Sequence, residues 1–178
     1  MSDFTIISAM CPETRAIGYK NAIPWNCAED MEFFRTTTRH VPSDQYINAV
    51  IMGRNTFESL GARPLKGRLN VVCSRVATSV VVDEPFLLAK SLDDALIKIA
   101  GYHKKIHKIF VIGGEQLYRE AIRHPNCCEI LLNYIHVTHC DYDTVFPPVD
   151  DDIYIMESSV KIDNVTFNRY IRRTHNEA

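Results

Sequence analysis

Apolar and polar positions along this chain follow two rhythms. Short, mainly apolar runs recur at residues 4–10, at Ala49-Val50-Ile51-Met52, from Leu69 to Cys73 and from His107 to Ile112. Runs of that length, closed by turn residues, predict strands covered on both faces. Between them lie helix-like segments at 29–38, 90–101 and about 115–123. The second is well signposted: Ser91 stands at its cap, Asp93 and Asp94 fill its first turn, and Gly101 stops it. Strand-like patterning returns at 130–138, 153–159 and 166–173, and shorter strands are expected at 79–82 and 86–88, around the Asp83-Glu84-Pro85 turn. Residues 38–48 carry little pattern and read as a surface loop. Strand, helix, strand alternation predicts an α/β fold: one domain over 1–178, with a mixed, mainly parallel central sheet flanked by helices. The strand-rich tail predicts a C-terminal antiparallel hairpin at one edge.

Composition then removes several function classes. The 178 residues suit one domain, and 46% hydrophobic with 24% charged residues is ordinary globular usage. A formal net charge of -2 argues against a nucleic-acid footprint. No apolar run approaches the roughly 20 residues of a membrane helix, and MSDFTIISAM lacks a signal peptide's basic start. Six cysteines without a CxxC pair suggest reduced, cytoplasmic usage. His103 and His107 bracket two lysines, and His136 and His139 fall on opposite sides of the expected strand, so no metal site is expected.

Candidate chemistry centres on one acid and two glycine turns. Residues three and four apart share a helix face, which places Asp30 beside Phe33 and Phe34, with Met31 at its border. A carboxylate there is costly unless paired. Glu29 suits the positive end of the helix dipole, and the same bland reading is open to Asp30. Gly53-Arg54-Asn55-Thr56 and Gly113-Gly114-Glu115-Gln116-Leu117 each lead from a strand into a helix, where free backbone N–H groups attract phosphate. Neither has dinucleotide-fold or phosphate-loop spacing, and a tight turn is the alternative. Arg54 and Arg75 could grip a 2′-phosphate, favouring NADP over NAD, or could be solvated surface. No nucleophile motif is present, and hydride transfer needs none.

Taken together, NAIPWNCAEDMEFFR, VIMGRNTFESLGARPLKGRLNVVCSR and IFVIGGEQLY resemble the dihydrofolate reductase family in order and spacing. SLDDAL, YREAIRHP and DTVFP extend the resemblance over nearly the whole chain. The resemblance implies that Asp30 binds the pterin 2-amino group and N3, and that Trp25 lies in a mobile loop over the nicotinamide. It implies a pterin and aminobenzoyl pocket of Ile7, Ala9, Met31, Phe34, Leu60, Ile112 and Tyr118. Arg68 matches the arginine that binds the substrate's glutamate α-carboxylate. Ala9, Ile17, Gly18, Gly53, Arg54, Asn55, Thr56, Ser74, Arg75, Gly113, Gly114, Glu115, Gln116 and Leu117 match the NADPH site. Glu115 must then point away from the pyrophosphate. The family threonine that bonds the catalytic acid matches Thr138 by local context in IHVTHC, and Asn133 by counting from Tyr118; Thr138 is preferred. Cys27 stands where larger aliphatics are common, and Phe57 replaces the usual tryptophan.

The implied reaction is NADPH-dependent reduction of 7,8-dihydrofolate to tetrahydrofolate, serving one-carbon and thymidylate metabolism. Hydride goes to pterin C6 and a proton to N5, with inhibition by antifolates such as methotrexate. The rivals are a same-fold pyrimidine reductase of riboflavin synthesis and a silent folate- or NADPH-binding module. Some family members are fused to thymidylate synthase; otherwise a monomer is expected.

Overall fold

The computed structural model describes residues 2–76 and 84–174. In chain order the elements are β1 (Phe4–Met10), β2 (Ala16–Gly18), α1 (Ala28–Arg39), β3 (Tyr46–Gly53), α2 (Arg54–Ser59), β4 (Arg68–Cys73) and β5 (Phe86–Ala89). There follow α3 (Leu92–Ala100), β6 (Lys105–Val111), α4 (Glu115–Ala121), β7 (Cys127–Ile135), β8 (Thr144–Val145), β9 (Tyr154–Ile162) and β10 (Val165–Arg172). The short strand expected at 79–82 lies outside the described residues.

The main sheet runs β5-β4-β3-β6-β1-β7-β10-β9, and β2 pairs with β8 in a small second sheet. From β5 to β7 every pairing is parallel; β10 is antiparallel to both β7 and β9. The mixed, mainly parallel α/β sheet with a C-terminal hairpin is therefore present. β1, β3 and β4 are buried along nearly their whole length because both of their faces are covered. Successive residues point to opposite sides, so Ile6, Ile51 and Val111 pack with Leu92, Leu96 and Ile99 of α3. Ile7, Val50, Met52 and Phe110 pack on the other side, against Phe33 and Phe34 of α1. Ser91 caps α3 as expected, its side chain accepting from Asp94 N at 3.1 Å.

Several boundaries differ from the sequence reading. The loop expected at 38–48 gives up its ends to α1 and β3. Buried Asn48 fixes what remains, donating from Nδ2 to Thr38 O and His40 O at 2.9 Å while its Oδ1 accepts from Lys108 N. The strand expected at 130–138 spans Cys127–Ile135 instead, because its partner β10 begins at Val165 opposite Ile135.

β9 forms one edge and leaves Ile155, Met156, Val160 and Ile162 exposed. Its pairing with β10 slips at Glu157: Arg169 faces Ser158, and Tyr170 faces Met156. The extra residue is a β-bulge. A polar row crosses this half of the sheet. Thr5 donates to Glu129, and Arg169 pairs with both Glu129 and Glu157. Among the described residues no helix is long and apolar enough to cross a membrane.

Candidate active site

α1 begins after Cys27, which supplies no side-chain cap. Glu29 points to solvent, where the helix dipole favours an acid. Asp30 turns inward and is 8% exposed. The helix lies over β3 and β1 and reaches β10, with the rings of Phe33 and Phe167 5.2 Å apart. Phe167 is opposite Asn133 on β7, which is opposite Ala9 on β1. Asn133 Nδ2 donates to Asp30 Oδ1 at 2.9 Å within the protein interior. Burial raises the Asp30 carboxyl above its ordinary range, and this hydrogen bond lowers it again in part.

The partner of the acid is thus Asn133 rather than Thr138. Thr138 lies beyond the end of β7, exposed in the following loop. Matching it by local context required three more strand residues than β10 can pair. Asn133 has a second property: its Oδ1 is buried and has no hydrogen-bond partner among the described residues.

Tyr118, on α4, donates to Ile7 O at 2.9 Å and joins α4 to β1. Burial raises its hydroxyl, and the Asp30 charge adds to that rise, so it remains an O–H donor. Trp25, Cys27 and Met31 line a cleft of about 280 Å³ with Ile23 and Asn26. Met31 and Leu60 are exposed, which makes them rim rather than wall. Ile112 and Phe34 pack on the cluster around Ile7. A second cleft, of about 370 Å³, is lined by Tyr102 to Ile106. It lies at the start of β6, away from the carboxyl strand ends where open α/β sheets place their ligands.

The two glycine turns meet at those carboxyl ends. β3 and β6 are parallel neighbours, and Gly53 N donates to Gly113 O at 2.8 Å. The Gly113–Gly114 peptide is cis, and Gly113 has φ +116°. A Cβ on Gly113 would come within 3.2 Å of the Tyr118 ring, and one on Gly114 within 3.3 Å of Thr56 Oγ1. Gly53 pairs with Cys73 in register, so Arg54 and Asn55 follow one strand end while Ser74 and Arg75 follow the next. Arg75 is exposed, and Arg54 forms an ion pair with Glu58 at 2.7 Å. Ser74 Oγ donates to Val76 O at 2.9 Å.

Glu115 does not leave a free charge beside the glycine pair. Its Oε1 accepts from Arg119 at 2.7 Å, and its Oε2 from Val145 N at 3.2 Å. Gln116 is exposed, whereas the side chain of Leu117 is turned into the core, which leaves its backbone as the part that could meet a cofactor. Ile17 and Gly18 form β2 with β8, and a Cβ on Gly18 would lie 2.5 Å from Thr144 Oγ1. Asp143 accepts from Lys20 N at 2.8 Å, tying down the start of the segment that carries Trp25.

Arg68 opens β4 and is 5% exposed. It donates from Nη1 to Thr38 Oγ1 at 2.8 Å and from Nε to Lys66 O at 3.1 Å. Both acceptors are neutral. Burial, then the neighbouring Arg39 charge, push the guanidinium down to about 10, while Glu84 opposes them. With no carboxylate bond among the described residues, this buried guanidinium keeps donors that an anion could occupy. Thr38 was not singled out from the sequence. Its signal was a hydroxyl one helical turn after Phe34, whose carbonyl it bonds at 2.8 Å.

Comparison with known proteins agrees with this geometry. The dihydrofolate reductase family profile matches residues 3–175. A dihydrofolate reductase of Heliothis virescens is 38% identical over 149 residues, covering 82% of this chain and 79% of that protein. One of Pneumocystis carinii is 41% identical over 136 residues, covering 70% and 66% respectively. A bifunctional dihydrofolate reductase-thymidylate synthase of Daucus carota is 37% identical over 151 residues, covering 80% of this chain but 28% of its own length. The chain belongs to the dihydrofolate reductase family.

Proposed function

We propose that this chain reduces 7,8-dihydrofolate to 5,6,7,8-tetrahydrofolate with NADPH, in the cytoplasm and as a monomeric domain. The observation that carries the reading is the buried Asp30–Asn133 pair beside Ile7 and Ala9. A carboxylate held there by one amide N–H keeps acceptor capacity for a ligand N–H pair, which is what a pterin's 2-amino group and N3 present. Asp30 would fix the ring's orientation and polarise it, so that N5 takes its proton through water. Arg68 would hold the far end of the substrate through its carboxylate.

The residues at the glycine turns fit a dinucleotide. Gly113 and Gly114 leave backbone uncovered where side chains would crowd the Tyr118 ring and Thr56, Gly53 bonds to that pair, and Arg54, Thr56, Ser74 and Arg75 gather at adjacent strand ends. NADPH, when bound, supplies the hydride. The segment around Trp25 would shield the reacting face from bulk water and align the substrate.

The direct test follows NADPH loss by absorbance with dihydrofolate present, then adds methotrexate. Turnover that methotrexate abolishes supports the reading. Folded protein without turnover sinks it and favours a silent binding module. Turnover of a pyrimidine substrate in place of dihydrofolate favours the riboflavin-type reductase.

A further inference from the structure

Arg68 is not the only cation at the mouth of β4. Arg39 ends α1, and its guanidinium lies across Gly67: a Cβ built there would stand 3.5 Å from Arg39 Nε and 3.6 Å from Nη2. Gly67 has φ +72°. A glycine meets that backbone demand, and it also lets the arginine approach the main chain. Arg39 makes no hydrogen bond or ion pair among the described residues, and it is exposed. Its field reaches Arg68 strongly enough to destabilise that charge.

The helix dipole accounts for a basic residue in the last turn of α1. It does not account for the side chain resting on the turn before Arg68, where two like charges oppose each other. Glu84 is the acid whose field reaches this place, and its Oε2 is engaged by Gly67 N at 3.1 Å. Two guanidinium groups with unmet donors, one buried and one open to solvent, form a graded anion receptor. The inner site takes one carboxylate; the outer site is suited to a second, further along the same ligand.

We propose that Arg39 binds a second carboxylate of the substrate tail, beyond the one held by Arg68, and so selects for tails that carry two. A glutamate tail has both an α- and a γ-carboxylate. This rests on the folate reading of the site and assigns the outer group to Arg39. Because Arg39 is far from the reacting ring, it stabilises ground state and transition state alike. It therefore acts on KM and not on kcat.

The test compares 7,8-dihydrofolate with its γ-carboxamide, which keeps the α-carboxylate and loses the γ charge. In Arg39→Gln, KM for dihydrofolate should rise by roughly two- to fivefold, the range for a partly exposed ion pair. KM for the γ-carboxamide should not move, and Arg39→Lys should fall between. The dihydrofolate effect should shrink as salt is added. An equal change for both substrates, or for neither, overturns the assignment while leaving wild-type turnover, and hence the folate reading, intact. Absence of turnover by the folded wild-type chain overturns both.

Discussion

Asn133→Val tests the acid's partner directly. The substitution keeps a β-compatible side chain of similar size on β7 and removes both polar ends of the amide. One end donates to Asp30 at 2.9 Å; the other is the buried Oδ1, which has no partner among the described residues. A hydrogen bond to a charged group contributes roughly 1.5–3 kcal/mol, and an unsatisfied buried polar atom costs roughly 1–3 kcal/mol. The two changes oppose each other in stability, so the net effect should stay within about 2 kcal/mol, a shift of several degrees in Tm. They do not cancel at the carboxyl. Without its donor Asp30 protonates more readily, and a protonated acid cannot accept two N–H groups from a pterin. Dihydrofolate affinity should then fall at acid pH by roughly ten- to hundredfold, and the variant and wild-type curves should converge as pH rises. Trp25, the chain's single tryptophan, lines the cleft beside Met31, and its fluorescence provides the titration. Identical curves for the two proteins would show that the amide N–H does not support the acid. A loss that is constant with pH would assign Asn133 to pocket shape instead.

Other outcomes follow from the same geometry. Asp30→Asn should abolish most hydride transfer while leaving NADPH binding nearly intact, measured by stopped-flow absorbance and cofactor titration. Burial makes native Asp30 hold its proton to higher pH than the unfolded chain does, so wild-type stability is lost as pH rises through the raised value. The Asp30→Asn variant should therefore be the more stable protein at neutral pH in urea unfolding, with the gain vanishing below about pH 4. Thr38→Val leaves an Arg68 donor unmet at 5% exposure, and should cost about 1–3 kcal/mol in urea unfolding and raise KM for dihydrofolate. Gly113→Ala combines φ +116° with a 3.2 Å contact to the Tyr118 ring; thermal melting should register a loss of about 1–3 kcal/mol, and NADPH affinity should fall.

Much of the fold was legible because strand and helix patterns here do not conflict. The runs at Val50 and Val71 are mainly apolar, as doubly covered strands are, and Ser91 and Gly101 mark α3 at both ends. The place of Asp30 was readable from its spacing to Phe33 and Phe34. What failed needed partners distant in sequence. The end of β7 is set by where β10 starts, so Thr138 could be matched by local motif and still lie outside the strand. The motif around Gly113 and Gly114 did not show that the direction of α4 turns the Leu117 side chain to the core. Arg54 looked free until α2 placed Glu58 one helical turn away. Neither Arg39 nor Thr38 stood out, because their meaning depends on β4 arriving beside the end of α1.

The slip at Glu157 bears on how the molecule stays in solution. β9 offers an open row of backbone groups together with four exposed apolar side chains, the combination that recruits another strand and seeds aggregates. The extra residue twists that edge and breaks its regular spacing. Arg169 further fastens the bulged carboxylate to the neighbouring strand. An incoming β-strand finds no continuous register to follow, so the same sheet that builds a ligand site at its centre is kept from growing at its margin.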